Sequence, residues 1–189
     1  PYHIEEMMIM IKFLRENKFA AALLLILRVY IGWQWIAAGF PKLIDGFDAA
    51  GYLNNAVANP VMKGDEVIYP TFTAFLEHFA IPNVGIINFL IPVGEFLVGL
   101  GLILGALTTA AAFFGLVMNF MFLFAGTVST NPWMVLIGGI IFMAGTKAGK
   151  FGIDYYLMPL LRKWTRRNKN KKDDPTEKTI HPGRQAAHV

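Results

Sequence analysis

The sequence contains no cysteine. That excludes disulfides, thiolate metal sites, iron–sulfur clusters and dithiol relays. Charge is scarce too, at 16% of 189 residues, and the four histidines (His3, His78, His181, His188) lie outside every stretch apolar enough to cross a bilayer. A bis-histidine haem within the membrane is therefore excluded, and no metal site is expected. No phosphate loop, zinc motif, catalytic triad or nucleotide fingerprint is found. The first 18 residues carry Glu5, Glu6 and Glu16 and lack a small-residue cleavage site, so no cleavable signal peptide is expected.

What is abundant is apolar sequence, 55% of the chain. The apolar runs reach about 20 residues, the length that suits a hydrocarbon core about 30 Å thick. An all-α integral membrane protein follows. Four spans are expected, at about 20–40, 84–104, 107–126 and 132–158, forming an antiparallel transmembrane bundle within residues 20–161. Residues 1–19 precede it. Ile4, Met7, Met8, Ile11 and Leu14 recur there at helical spacing, as in an interfacial amphipathic helix or a cytoplasmic extension of the first span.

Residues 41–83 form the one long connection, an outer loop. Within it "TFTAFLEHFA" sets Phe72, Phe75, Leu76 and Phe79 on one helical stripe, expected to press on the membrane or the bundle. "GALTT" and "GTVSTNP" are short enough to be tight turns, with Pro132 placed to begin a helix. Residues 162–189 are a basic, polar tail of disordered-type composition. Lys and Arg concentrate in the N-terminal segment, at the end of span four and in this tail, which predicts that both termini are cytoplasmic. Basicity of this kind suits anionic membrane lipids, and nucleic-acid binding is not expected.

Ionisable residues inside spans are costly and usually face a partner in the bundle. Arg28 lies roughly 12 Å below the expected start of span one at Ala20, and Glu95 roughly 14 Å from the end of span two. Antiparallel spans would bring them to one level, so an Arg28–Glu95 ion pair is expected. It is either a structural pin or part of a ligand site. In the second reading Arg28 and Glu95 carry the chemistry, Arg28 polarising a ligand carbonyl and Glu95 relaying a proton. Arg28, Gly32, Trp35, Gly39 and Lys42 share one helix face, where the glycines admit a neighbouring helix or a flat ring. Gln34 and Trp35 would flank the ligand, and Asn119 of span three could reach the same interior or serve as a helix–helix hydrogen bonder. Lys42, Asp45 and His78 are either an outer proton exit or solvated loop residues. Gly101 with Gly105, and Gly145 with Gly149, read as GxxxG packing.

"RVYIGWQWIAAGFPKL", "GEFLVGLGLILGALTTAAA" and "NPWMVLIGGIIFMAGTKAGKFGIDYYL" together resemble the DoxX/DoxD family of membrane proteins, over residues 28–161. By that resemblance the first-span Arg, Gly and Lys fall on Arg28, Gly39 and Lys42, the second-span Glu on Glu95, and the last-span Asp on Asp154. The long first loop and basic tail are closer to DoxD-like members. The resemblance implies a multi-pass subunit of a prokaryotic plasma membrane that works with a menaquinone- or ubiquinone-type quinone. With no haem, flavin or metal group of its own, it would depend on a hetero-oligomeric respiratory partner for the electron-carrying cofactor. Two further readings are an accessory subunit without a site of its own and a small-molecule transporter, the latter disfavoured by the lack of repeated broken halves.

Overall fold

The structure, a computed structural model, describes residues 5–9, 12 and 18–172. The expected N-terminal amphipathic helix falls largely outside these, although residues 5–9 are helical. The chain divides into two compact units, 1–155 and 156–189.

In the first unit, helix α1 runs Lys18–Asp45, and α2 Ala50–Ala58 follows. A two-residue antiparallel hairpin pairs β1 Met62–Lys63 with β2 Glu66–Val67, its turn made by Gly64 at φ +63°. Helix α3 Pro70–Phe75 continues into a π-helical turn Leu76–Ala80. Then come α4 Val84–Leu104, α5 Thr108–Phe124, α6 Asn131–Ala144 and a 3-10 turn Gly145–Lys147. Helix α7, Asp154–Lys172, starts at the end of the first unit, and its remaining described residues belong to the second.

Two helices, Phe19–Asp45 and Val84–Leu104, are long and apolar enough to cross a membrane, and α5 and α6 are shorter apolar helices. Their burial is inverted relative to a water-soluble fold. Arg28, Glu95, Thr108, Asn119 and Asp154 are buried, while Ile26, Trp33, Phe89, Leu97, Phe114 and Leu136 are more than half exposed. Large apolar side chains outside and charges inside are what a lipid solvent selects. The main core joins Leu24, Ile31 and Trp35 of α1 to Val98 and Leu102 of α4, Ala112 of α5, and Met134 and Ile141 of α6.

Glycines set the contact between α1 and α4. A Cβ at Gly32 would stand 3.0 Å from the Gly99 carbonyl, and one at Gly39 would stand 2.8 Å from both the Glu95 Cβ and the Phe96 amide. The small-residue stripe of α1 therefore admits the neighbouring backbone rather than a flat ring.

The fourth expected span, 132–158, is not one helix. It ends at Ala144, where Gly145 turns the chain at φ +61°, ψ −140°. Gly145 is thus a helix terminator and not half of a GxxxG contact. Gly105 likewise caps α4 in the left-handed region. Helix α7 continues to Lys172, so the first residues of the basic tail are helical; residues 173–189 lie outside the described part.

The connection 46–83 is a folded cap. Ala49, Leu53 and Ala56 pack on Leu76 and Ala80 as a second core. The Asn88 Oδ1 accepts from the Ala49 amide at 2.7 Å, tying this cap to α4. Of the expected stripe, Leu76 is buried and Phe72 packs against the cap core, whereas Phe75 and Phe79 are exposed. The π turn adds a residue to the repeat and rotates Phe79 off the inner face.

Candidate functional site

The buried charges form two groups, at opposite ends of α1. Arg28 and Glu95 are not paired. Arg28 Nη1 donates to the Ala148 carbonyl at 2.7 Å, and Nη2 donates to the Phe151 carbonyl at 3.2 Å. Glu95 instead accepts from Lys42 Nζ, with both carboxylate oxygens at 2.7 Å. The physical reason is register. Gly32 lies against Gly99 and Ile103, and Gly39 against Pro92 and Glu95, so Arg28 comes level with Gly105. That is ten residues past Glu95, about 15 Å at the helical rise. Assuming that α1 and α4 end flush placed the two charges together; α1 overhangs the end of α4. Helical side chains also lean toward their own N-terminus, which carries Arg28 away from Glu95 and brings Lys42 back to it.

At the Arg28 end the residues hold backbone together. The guanidinium sits against Gly105, where a Cβ would stand 2.5 Å from Nη1, and it fills the space beside the unwound segment after α6. Asp154 accepts from the amides of Leu107 (2.6 Å) and Thr108 (2.8 Å), two donors of the α4–α5 turn and the α5 N-terminus that have no helical partner. Backbone bonds Ile153 N to Leu104 O (3.1 Å) and Asp154 N to Gly105 O (2.7 Å) complete the joint. Unwound backbone inside a membrane protein must be satisfied by protein. Arg28 and Asp154 do that, one supplying carbonyls with donors and the other supplying amides with an acceptor.

At the other end, a cavity of about 480 Å³ opens between α1, α4, the cap and the α5–α6 turn. Its wall includes Gln34, Trp35, Ala38 and Lys42 of α1, Tyr52 of α2, Ile91 and Glu95 of α4, and Thr127, Thr130 and Asn131 beyond α5. This volume is within the range of about 300–1,000 Å³ usual for ligand clefts. Trp35 is 3% exposed and slots against Gly115, where a Cβ would meet Nε1 at 3.3 Å. The Tyr52 hydroxyl hydrogen-bonds to Thr127 Oγ1 at 3.0 Å, joining the cap to the α5–α6 turn. Burial pushes the Tyr52 phenol up, an effect the Thr127 hydrogen bond partly opposes. Pro41 has no N–H, so the Ala37 carbonyl, whose residue also lines the cavity, loses its helical donor.

Lys42 is held between Glu95 and the Phe47 ring, whose centroid lies 5.1 Å from Nζ. Its side chain is 30% exposed and that of Glu95 is 3% exposed. An ammonium has three donors, and the pair as a whole is neutral. The site therefore offers hydrogen bonds to an uncharged polar group without calling for an ion.

Of the expected site residues, Gln34, Trp35 and Glu95 line this cavity. Arg28 is at the far end, and Gly32 and Gly39 are consumed by the α1–α4 contact. Asn119 is buried on α5 outside the lining, and its Oδ1 has no hydrogen-bond partner among the described residues. Of the suggested proton-exit residues, Lys42 is at the site, while Asp45 and His78 are not among its lining. Tyr52, Thr127 and Asn131 were not foreseen. Lys42 was expected on the face it shares with Arg28 and as a candidate for an outer proton exit, but not as the partner of Glu95.

A helical membrane protein with a cavity of mixed polar and apolar wall at one end is the class that this fold and site define. The DoxX family model matches residues 23–128, and the chain belongs to that family. The match covers α1 to α5 and the cap, hence most of the cavity wall. No curated protein and no solved structure gives a significant match.

Proposed function

We propose that the protein is a quinone-binding subunit of a membrane oxidoreductase, with the ring held in the cavity at Lys42. One observation carries the reading: a part-buried, internally neutral Lys42–Glu95 pair on the wall of a 480 Å³ cavity that Trp35 also lines. A quinone ring is flat and uncharged, with carbonyl acceptors. Lys42 donates to one such carbonyl, Glu95 fixes the Lys42 geometry, and Trp35 supplies the aromatic wall. A bound quinone would supply two-electron redox chemistry. The electron-carrying group comes from a partner subunit, because a cysteine-free chain offers no dithiol or cluster to pass electrons on.

In this reading α1, α4, α5 and α6 span a prokaryotic plasma membrane as an antiparallel bundle, with both termini cytoplasmic. Helix α6 has 14 residues, about 21 Å, too short to span by itself. The unwound segment beyond it, satisfied by Arg28, completes the crossing.

The test uses a variant in which Trp35 is the sole tryptophan, reconstituted in lipid nanodiscs. Added menadione quenches Trp35 fluorescence saturably, and Lys42→Met weakens binding about tenfold or more, as expected for loss of a charge-assisted hydrogen bond worth about 1.5–3 kcal/mol. Unsaturable quenching, identical in the variant, would overturn the assignment. Native extraction followed by mass spectrometry identifies the quinone and the partner.

A further inference from the structure

A second chamber adjoins the first. It is about 170 Å³, well below the volume of a self-sufficient ligand cleft, and among its lining residues only Tyr52 carries a side-chain oxygen or nitrogen. Tyr52, Ile91 and Phe122 line both chambers and form the partition between them. Tyr52 is suited to that place: its ring packs edge-on to Phe122 at 6.5 Å, while its hydroxyl bonds Thr127, which lines the polar chamber alone. At its far side the apolar chamber is bounded by Phe75, Leu90 and Met121, all exposed on the outside of the bundle. In a membrane protein that outside is hydrocarbon. The two chambers lie on either side of this partition, the first with the Lys42–Glu95 pair in its wall and the second bounded by lipid-facing side chains.

We infer that the apolar chamber is a tail subsite: the ligand carries a long hydrocarbon substituent that crosses the Tyr52–Ile91–Phe122 partition and leaves between α4 and α5 into the bilayer. This rests on the quinone reading of the first chamber and gives the isoprenoid tail of such a quinone its own place in the apolar chamber, so that the ligand reaches the site sideways from the lipid. The tail contributes affinity by burying apolar area against these side chains. The neutral pair favours the same class, since an anionic phospholipid head would meet Glu95 as well as Lys42.

Menadione and menaquinone-4 share one ring and differ in the tail. Both are titrated into nanodiscs holding the full chain with Trp35 as sole tryptophan, with affinities expressed per mole fraction in the bilayer so that partitioning cancels. Menaquinone-4 is expected to bind at least tenfold more tightly. Ala125→Leu, which adds bulk to the apolar chamber away from the polar one, should reduce that advantage to threefold or less and leave menadione unchanged. Should Ala125→Leu fold poorly, Met121→Phe at the exposed end of the chamber serves instead. Equal affinities for the two quinones, or an advantage that survives both variants, overturn the tail subsite while the quinone reading stands. Binding of neither quinone removes both.

Discussion

Replacing Arg28 separates the two roles this residue could play. Arg28→Met leaves the carbonyls of Ala148 and Phe151 without their side-chain donor and removes a cation that attracts Asp154. A buried acceptor left unsatisfied costs about 1–3 kcal/mol, and the bond to Phe151, at 3.2 Å and only partly buried, belongs at the lower end. Adding the lost attraction to Asp154 gives an expected destabilisation of about 3–5 kcal/mol, comparable to breaking a buried ion pair. Arg28→Lys keeps the charge but not the forked donors, so about half of that loss is expected. The assay is an SDS titration in mixed micelles followed by circular dichroism, with the shift of midpoint read for each variant. Quinone binding by Arg28→Lys should remain within about twofold of the parent, because perturbations this far from a site with no shared partner are nearly independent. A variant of native stability that has lost its ligand would refute the structural role and return Arg28 to the binding site.

Gly39→Ala should cost about 2 kcal/mol or more and disturb the Lys42–Glu95 pair, since the new methyl meets Glu95 Cβ and the Phe96 amide at 2.8 Å; the SDS midpoint and menadione affinity should fall together. Asp154→Asn leaves one carbonyl oxygen for two amides, so a loss of about 1.5–3 kcal/mol is expected, with faster hydrogen exchange at Leu107 or Thr108. Tyr52→Phe deletes the bond to Thr127 and should destabilise by about 1 kcal/mol. Because burial raises the Tyr52 phenol above its usual 10.0, its contribution is fully present below that pH and declines as pH rises through the folded-state value. Stability measured from pH 9 to 12 should therefore fall more steeply in the parent than in Tyr52→Phe.

The apolar helices beginning near residues 20, 84 and 107 were legible because lipid selects long apolar runs, and α4 and α5 fall where hydropathy put them. Buried Arg28 and Glu95 were legible for the same reason: a charge in a span must be hidden. Their partners were not, because pairing depends on where α1 and α4 lie against each other, and contacts such as Gly32 on Gly99 fix that register. Counting depth from assumed helix ends cannot see an overhang. The break at Gly145 was hidden for a related reason, since a glycine ending a helix and one packing two helices look alike in sequence. The cap of residues 46–83 looked like a loop because Gly, Asn, Pro and charged residues interrupt its apolar residues, and its order comes from contacts such as Leu53 and Leu76.

The Lys42–Glu95 couple has an energetic consequence for the membrane as a whole. A lone ammonium at that position would move with the transmembrane field, at about 2.3 kcal/mol per charge for each 100 mV crossed. A salt-bridged dipole admitting a neutral guest displaces no net charge, so occupancy should not respond to voltage. Loading of this site would then follow the size of the lipid-soluble pool alone, and an energised and a de-energised cell would fill it equally.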